Sequence, residues 1–388
     1  MDYSVKWDWI TLFLYLILTI FCGLILKKAL SYKKEPKYLN FFNYSINYKY
    51  ICYLIVIFVL VFFMCTRVIK GELGGADTLR YIKFFNTFDY TPFEIKNILG
   101  MQGWEYLFFN TMYLIRILGG NYTVFSIVVY TILVGCYIYY FDQNVEKEDE
   151  WFVSLIFILP YLKSMNILRN CLAAAIGLLS IEAIKKNKKI IFLIIFIIAY
   201  LNHYISIVLL AFGLFCFFVP EKWYNSRKKT IIISLSVFVM TLLGIPIIKW
   251  LLSLTRYAGY LNRIDFSPYG YIVYTGIYCL ILLVYDEFIK TLKERNHFIF
   301  YKMIVFLSIV VAPFTVVNGT QRLLLYFEIP RFIMYGDLFS VYNKKIPKKY
   351  QKSFKIAIIF VYILWIIFRI WRMYESSYIM PYKNIIFG

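Results

Sequence analysis

The chain has 388 residues, 61% of them hydrophobic and 16% charged. Soluble domains run at roughly 45–50% apolar and about 25% charged, which excludes an ordinary soluble globular protein; the 21% aromatic content also excludes a disordered chain. The 42 basic and 22 acidic residues leave a net charge of +20. Such a surplus suits either a nucleic-acid partner or the cytoplasmic loops of a membrane protein.

A helix needs ~20 mostly apolar residues to cross a bilayer. In chain order such runs occupy residues 9–26, 50–68, 103–119, 121–141, 166–184, 190–206, 206–220, 230–252, 270–289, 298–317, 322–341 and 356–371. They predict an all-α, polytopic transmembrane bundle of about 12 spans, with residues 1–388 as one integral membrane domain. The start, MDYSVKWDW, has no basic n-region and no small-residue cleavage site follows, so the first run reads as a retained span. A further run, 151–163, is short and contains Pro160. No tandem repeat is evident.

Lysine and arginine placement tests this topology. Segments 27–49, 185–189, 221–229, 290–297 and 343–355 are strongly basic, and 343–355 holds no acid. They read as cytoplasmic. Segments 69–100, 142–150, 254–268 and 372–388 are balanced or acidic and read as extracytoplasmic. This alternation puts the N-terminus outside, but it fails once between residues 100 and 170. Either 151–163 is a re-entrant or half-span element covered by protein, or the 103–141 hairpin is the misread part.

All seven cysteines fall in apolar runs without a C-x-x-C pair, and the two histidines are His203 and His297. Neither a disulfide framework nor a metal site is expected. The informative residues are polar groups near the outer ends of spans, where a charge at membrane depth costs roughly 2.5–3.5 kcal/mol on insertion scales. In GGADTLRYIKFF (74–85), Asp77 and Tyr81 stand at i,i+4 on one helical face; the plain alternative is a solvated loop with an aspartate cap. Arg169 opens a span rich in small residues, in NILRNCLAAA, and serves either as an interfacial anchor or as a functional group. His203 and Ser206 are at i,i+3 between two consecutive spans. Arg256, Tyr257, Tyr260 and Arg263 lie in an outer loop, where aromatic-belt anchoring is the plain reading. Arg322 begins a late span; Glu328 and Arg331 follow deeper and are expected to pair with each other. Together, several arginines, an aspartate and a histidine map to one face. Arginine suits bidentate binding of phosphate oxygens, which points to an anionic ligand such as a lipid-linked diphosphate.

The ordered motifs resemble those of the EpsG family of Wzy-like polysaccharide polymerases. They are Arg67 followed by G-A-D-T-x-x-Y (Gly75 to Tyr81), W-E-Y-L-F-F-N (104–110), L-R-N-C-L-A (168–173), N-H-Y-I-S (202–206), R-Y-x-x-Y (Arg256 to Tyr260) and Q-R-L-L-L-Y-F (321–327). Asn170 stands where the family more often has Gln, and Asn202 replaces an aromatic residue. The resemblance implies a GT-C-like membrane glycosyltransferase of capsule, exopolysaccharide or O-antigen assembly, in the bacterial plasma membrane with an outward-facing site. Its substrates would be oligosaccharide repeats on an undecaprenyl diphosphate carrier. No cofactor, metal or nucleic acid is implied; a chain-length regulator and a flippase of the same pathway are the further partners. By the same resemblance Asp77, His203, Arg169 and Arg322 are catalytic candidates. Arg67, Tyr81, Glu105, Arg256, Tyr260, Ser206 and Tyr326 are substrate-binding candidates. Asp77 or His203 would be the base or acceptor orienter, with Arg169, Arg322 and Arg256 on the diphosphate. The competing readings are a polysaccharide flippase or transporter, a glycan ligase or single-transfer enzyme, and a multipass acyltransferase.

Overall fold

The computed structural model describes residues 4–41, 44–70, 73–87, 105–145, 148–220, 226–254, 268–291, 295–316, 320–377 and 379–385. Among these, helices dominate, and the one sheet is a two-stranded antiparallel hairpin of β1 (Tyr38–Phe41) and β2 (Tyr44–Asn47). The first helices are α1 (Trp9–Lys34), α2 (Tyr48–Cys65), α3 (Ala76–Thr87), α4 (Tyr106–Ile117) and α5 (Tyr122–Asn144). A 3₁₀ stretch, Glu148–Phe157, runs into the short α6 (Ile158–Lys163). Then come α7 (Leu168–Lys185), α8 (Lys189–Asn202), a 3₁₀ turn over Tyr204–Ser206, α9 (Ile207–Phe218) and α10 (Arg227–Ser253). The last part holds α11 (Pro268–Thr291), α12 (Arg295–Phe306), π and 3₁₀ turns over Leu307–Val316, a 3₁₀ helix at Thr320–Phe327, α13 (Glu328–Lys345) and α14 (Lys348–Ser377).

Four helices among the described residues are long and apolar enough to cross a membrane: Trp9–Lys34, Tyr48–Cys65, Tyr122–Asn144 and Lys348–Tyr374. Their lipid-type faces stay exposed, as at Ile10, Phe58 and Phe360, while Tyr15, Val56, Tyr130 and Ile366 go into the core. The protein is therefore an all-α membrane protein. The other apolar helices are shorter, as at Lys189–Asn202 and Tyr204–Phe218, because α8 and α9 are divided at His203, whose backbone is extended.

Side-chain contacts identify the two ends of the bundle. At one end Asp142 at the close of α5 meets Lys49 at 3.3 Å and the hydroxyl of Tyr53 at 2.8 Å, and its backbone carbonyl takes Lys33. Lys186 donates to Gln143 at 2.9 Å and Lys185 to Asn144 at 3.1 Å. This end gathers the basic segments 27–49 and 185–189. At the other end Thr78 donates to the Met165 carbonyl, Tyr130 to the Ser164 carbonyl at 3.2 Å, and Val68 to the Lys383 carbonyl at 2.8 Å.

These contacts also trace the path of the chain between residues 142 and 164. Asp142 to Val145 sit with the lysines, not opposite them, and residues 148–163 run from the lysine-rich end to the other. Ten residues in 3₁₀ winding and six in α6 reach ~29 Å at about 2.0 and 1.5 Å rise per residue, close to the ~30 Å hydrocarbon core. The tighter winding lets this short run extend from one end of the bundle to the other. Pro160 does not break it, since it lies in the first turn of α6, where an N–H has no intrahelical partner. The run is sheathed by α1, α13 and α14, and Phe152 to Leu162 are all buried. Gly336 of α13 lets that helix close onto Val153; a Cβ there would overlap the valine side chain. The half-length element is α4: 12 residues span ~18 Å, and both its start and the start of α5 pack against α3, through Tyr81–Phe108 and Phe85–Tyr122.

Candidate active site

The end opposite the lysines is built on a close approach between two loops. Gly75 has φ +100°, a left-handed conformation suited to glycine, and a Cβ there would overlap the Met165 carbonyl. Next to it the Asp77 backbone N–H donates to the Asn166 side chain at 3.1 Å. This pairing docks the start of α3 against the start of α7, and so brings Tyr81 to Arg169.

Arg169 lies in the first turn of α7, where the helix dipole disfavours a cation. Its surroundings offset that. The guanidinium forms an ion pair with Glu105, and its Nε donates to the Tyr81 hydroxyl at 3.0 Å. The Tyr81 and Phe109 rings lie 5.4 and 5.3 Å from it, within cation–π range. Burial pushes the Tyr81 phenol up to about 12, with Arg169 pulling the other way. At neutral pH Tyr81 is therefore a neutral hydrogen-bonding group.

Glu105 occupies the N-cap position of α4 but makes no side-chain cap bond. Its carboxylate is instead shared: one oxygen with Arg169, the other with Nδ1 of His203. Glu105 and His203 are 8% and 6% exposed, so the link is dry. His203 ends α8 in an extended conformation, and Ser206 donates back to its carbonyl. Tyr326, fully buried, faces Ser206. A carboxylate on Nδ1 holds the proton there and leaves Nε2 as the free acceptor. The arrangement can thus take a proton at Nε2 while the carboxylate steadies the resulting imidazolium.

Arg322, on the Thr320–Phe327 3₁₀ helix, is exposed and forms no ion pair among the described residues, yet its charge, like that of Arg169, reaches His203. Asp77 is partly buried, pairs with the exposed Arg80 at 3.5 Å, and also acts on Arg169. The structure therefore gathers Tyr81, Glu105, Arg169 and His203 by direct contact, with Ser206 and Tyr326 behind and Asp77 and Arg322 at the margin.

Arg67 is placed elsewhere. It is 4% exposed and donates to the Met64 carbonyl and the Tyr130 hydroxyl, not to this cluster. Arg256 and Tyr260 lie outside the described residues. Phe109 was not singled out from the sequence, although it stands at i,i+4 from Glu105 on α4. The expected Glu328–Arg331 pair does not form: Glu328 pairs with Lys163 and Arg369, and Arg331 donates to the Phe327 carbonyl and the Tyr278 hydroxyl. Among the described residues no group of three or more His, Cys, Asp or Glu is placed to hold a metal.

Comparison with known proteins gives one family: the model of the EpsG family matches residues 50–384, most of the chain. No curated protein and no solved structure matches.

Proposed function

The chain belongs to the EpsG family, and from that premise we propose that it polymerises lipid-linked oligosaccharide repeats into a surface polysaccharide by glycosyl transfer. The family is one of polysaccharide polymerase-like proteins. The observation that carries the reading is the Arg169–Glu105–His203 chain, which sets a cation and a proton acceptor side by side at one end of a membrane bundle.

In this reaction the acceptor is the nonreducing-end hydroxyl of one repeat unit. It attacks the anomeric carbon of a growing glycan held on undecaprenyl diphosphate. The new C–O bond forms as the bond to the carrier breaks, and the diphosphate leaves with its electron pair. The leaving group is already activated, so the enzyme must align two lipids, remove one proton and stabilise the departing charge. His203 Nε2 takes the hydroxyl proton, and Glu105 steadies the imidazolium. Arg169 and Arg322 receive the diphosphate, because a guanidinium suits bidentate binding of phosphate oxygens. Tyr81 orients Arg169, and Asp77 orients the acceptor. In this scheme Arg256 and Tyr260 extend the donor site, while Arg67 holds the wall of the site through Tyr130.

The lysine-rich end is cytoplasmic in this reading, because positive loops stay inside. The reacting end then faces outward and the N-terminus lies outside, in a GT-C-like architecture of about twelve crossings in which 148–163 replaces 106–117. A chain-length regulator and a flippase are the expected partners.

The test is incubation of purified protein with a lipid-linked repeat unit. The expected result is a ladder of elongated products, lost in Arg169→Ala and Arg322→Ala at unchanged protein level. A wild-type ladder in both variants would sink the assignment. Transbilayer movement of the repeat in vesicles, with no elongation, would make the protein a transporter.

A further inference from the structure

A second cluster of charges lies on the other side of α7 and takes no part in the scheme above. Glu328, 4% exposed, is its hub. Lys163 at the end of α6 meets it at 2.9 Å, and Arg369 of α14 meets it at 3.5 Å. Arg331, one turn further along α13, is 9% exposed and, among the described residues, donates to the neutral oxygens of Phe327 and Tyr278. Two cations thus pair with one carboxylate, and a third lies one helical turn away. Inside a membrane bundle a surplus of buried cations calls for an anion.

The cluster is also open on one side. The Arg369 side chain is 26% exposed, whereas Glu328 is closed off. The Arg369 guanidinium lies 5.7 Å from the Trp365 ring, and Trp365 and Phe368 are 40% and 46% exposed on the face of α14 that meets lipid. Arg369 stands eight residues before the end of α14 at Ser377, which is ~12 Å along the helix axis. That helix end is the one tied to α1 near its start, through the Trp7–Tyr374 contact. Arg369 therefore borders the lipid-facing surface just below the end that carries His203, with the more buried Lys163 and Arg331 behind it.

From this juxtaposition we propose that Arg369, with Lys163 and Arg331 behind it, forms a lateral binding site for the diphosphate head of a polyprenyl-linked lipid arriving from the surrounding leaflet. The proposal rests on the reading above, since it supplies a place for the second of the two lipid substrates. Glu328 holds the cations together; the aromatic face of Trp365 and Phe368 receives the first isoprene units. Arg169 and Arg322 remain the site of the reacting diphosphate.

The test uses the full chain in lipid nanodiscs and three probes: a short-chain polyprenyl diphosphate, the matching polyprenol, and inorganic diphosphate. Wild type is expected to bind the polyprenyl diphosphate at least tenfold more tightly than either of the others, because the site needs both head and tail. Wild type is expected to show two binding events for polyprenyl diphosphate; Arg369→Gln is expected to weaken one of them about tenfold and Arg369→Lys to keep most of it, with the event at Arg169 and Arg322, and polyprenol binding, unchanged in both. Equal binding of polyprenyl diphosphate by wild type and a folded Arg369→Gln overturns the lateral site while leaving the polymerase reading intact. Should Arg369→Gln not fold, Arg369→Lys combined with Arg169→Ala and Arg322→Ala isolates the lateral site: polyprenyl diphosphate binding that inorganic diphosphate displaces at high concentration is expected, and no binding overturns it. A wild-type protein that binds no polyprenyl diphosphate at all overturns the polymerase reading itself.

Discussion

Glu105 joins Arg169 to His203: one carboxylate oxygen takes the guanidinium and the other takes Nδ1 of the imidazole. These three residues come from α4, α7 and the end of α8, separated by 64 and 98 positions from Glu105. The carboxylate therefore sets the orientation of both partners at once, and replacing it should be felt at each.

Glu105→Gln keeps the shape but removes the charge. Loss of an oriented base is worth roughly 10²–10⁴-fold in rate, and the elongation rate on a lipid-linked repeat should fall by about that much at equal protein level. A variant running at near wild-type rate would mean that His203 does not depend on Glu105.

Tyr81 separates two contributions to Arg169. Tyr81→Phe keeps the ring 5.4 Å from the guanidinium but removes the hydroxyl that accepts from Nε. A hydrogen bond to a charged group is worth about 1.5–3 kcal/mol. Tyr81→Ala also removes the ring, for a further ~0.5–2 kcal/mol. Substrate binding should weaken stepwise, Phe then Ala, in a titration with polyprenyl diphosphate; equal losses would show that only the hydroxyl matters.

Gly75→Ala should damage the site without touching it. The residue has φ +100° and no room for a Cβ beside Met165. A side chain in such a conformation costs about 1–3 kcal/mol, before the overlap is counted. Thermal unfolding of the detergent-solubilised variant should begin at a lower temperature, with reduced elongation. An unchanged melting curve would mean that the loops part freely.

The path of 148–163 is checked by labelling. Gln143→Cys and Lys188→Cys, in a background without the partly exposed Cys65 and Cys279, should react with a membrane-impermeant thiol reagent from the same side. This follows from the Lys186–Gln143 bond. Reaction from opposite sides would support the re-entrant reading of 151–163.

Much of this protein was legible from spacing alone. Helix-length apolar runs mark α1, α2, α5 and α14, with α2 and α5 within three residues of their observed bounds, while α1 and α14 run on into polar ends that hydropathy leaves out. The i,i+4 pair Asp77 and Tyr81 falls on α3, as its spacing implies. Other features were not legible. Hydropathy counts residues, not rise per residue, so it could not tell that 148–163 stretches into 3₁₀ winding while 106–117 stops at half length. Glu328 and Arg331, three positions apart, looked like natural partners, but α6 and α14 bring Lys163 and Arg369 closer to the carboxylate.

The sequence by itself determined the solvent. With 61% hydrophobic residues and most of the lysines gathered in segments between apolar runs, the chain has to lie in a bilayer, and that choice needs only local composition. What the tertiary structure decided is which polar groups share a carboxylate. Arg169, Glu105 and His203 are far apart in the chain, and no periodicity links them. They meet because Gly75 lets α3 close onto α7, α4 stops short, and α8 turns at His203, so that packing, not pattern, assembles the site.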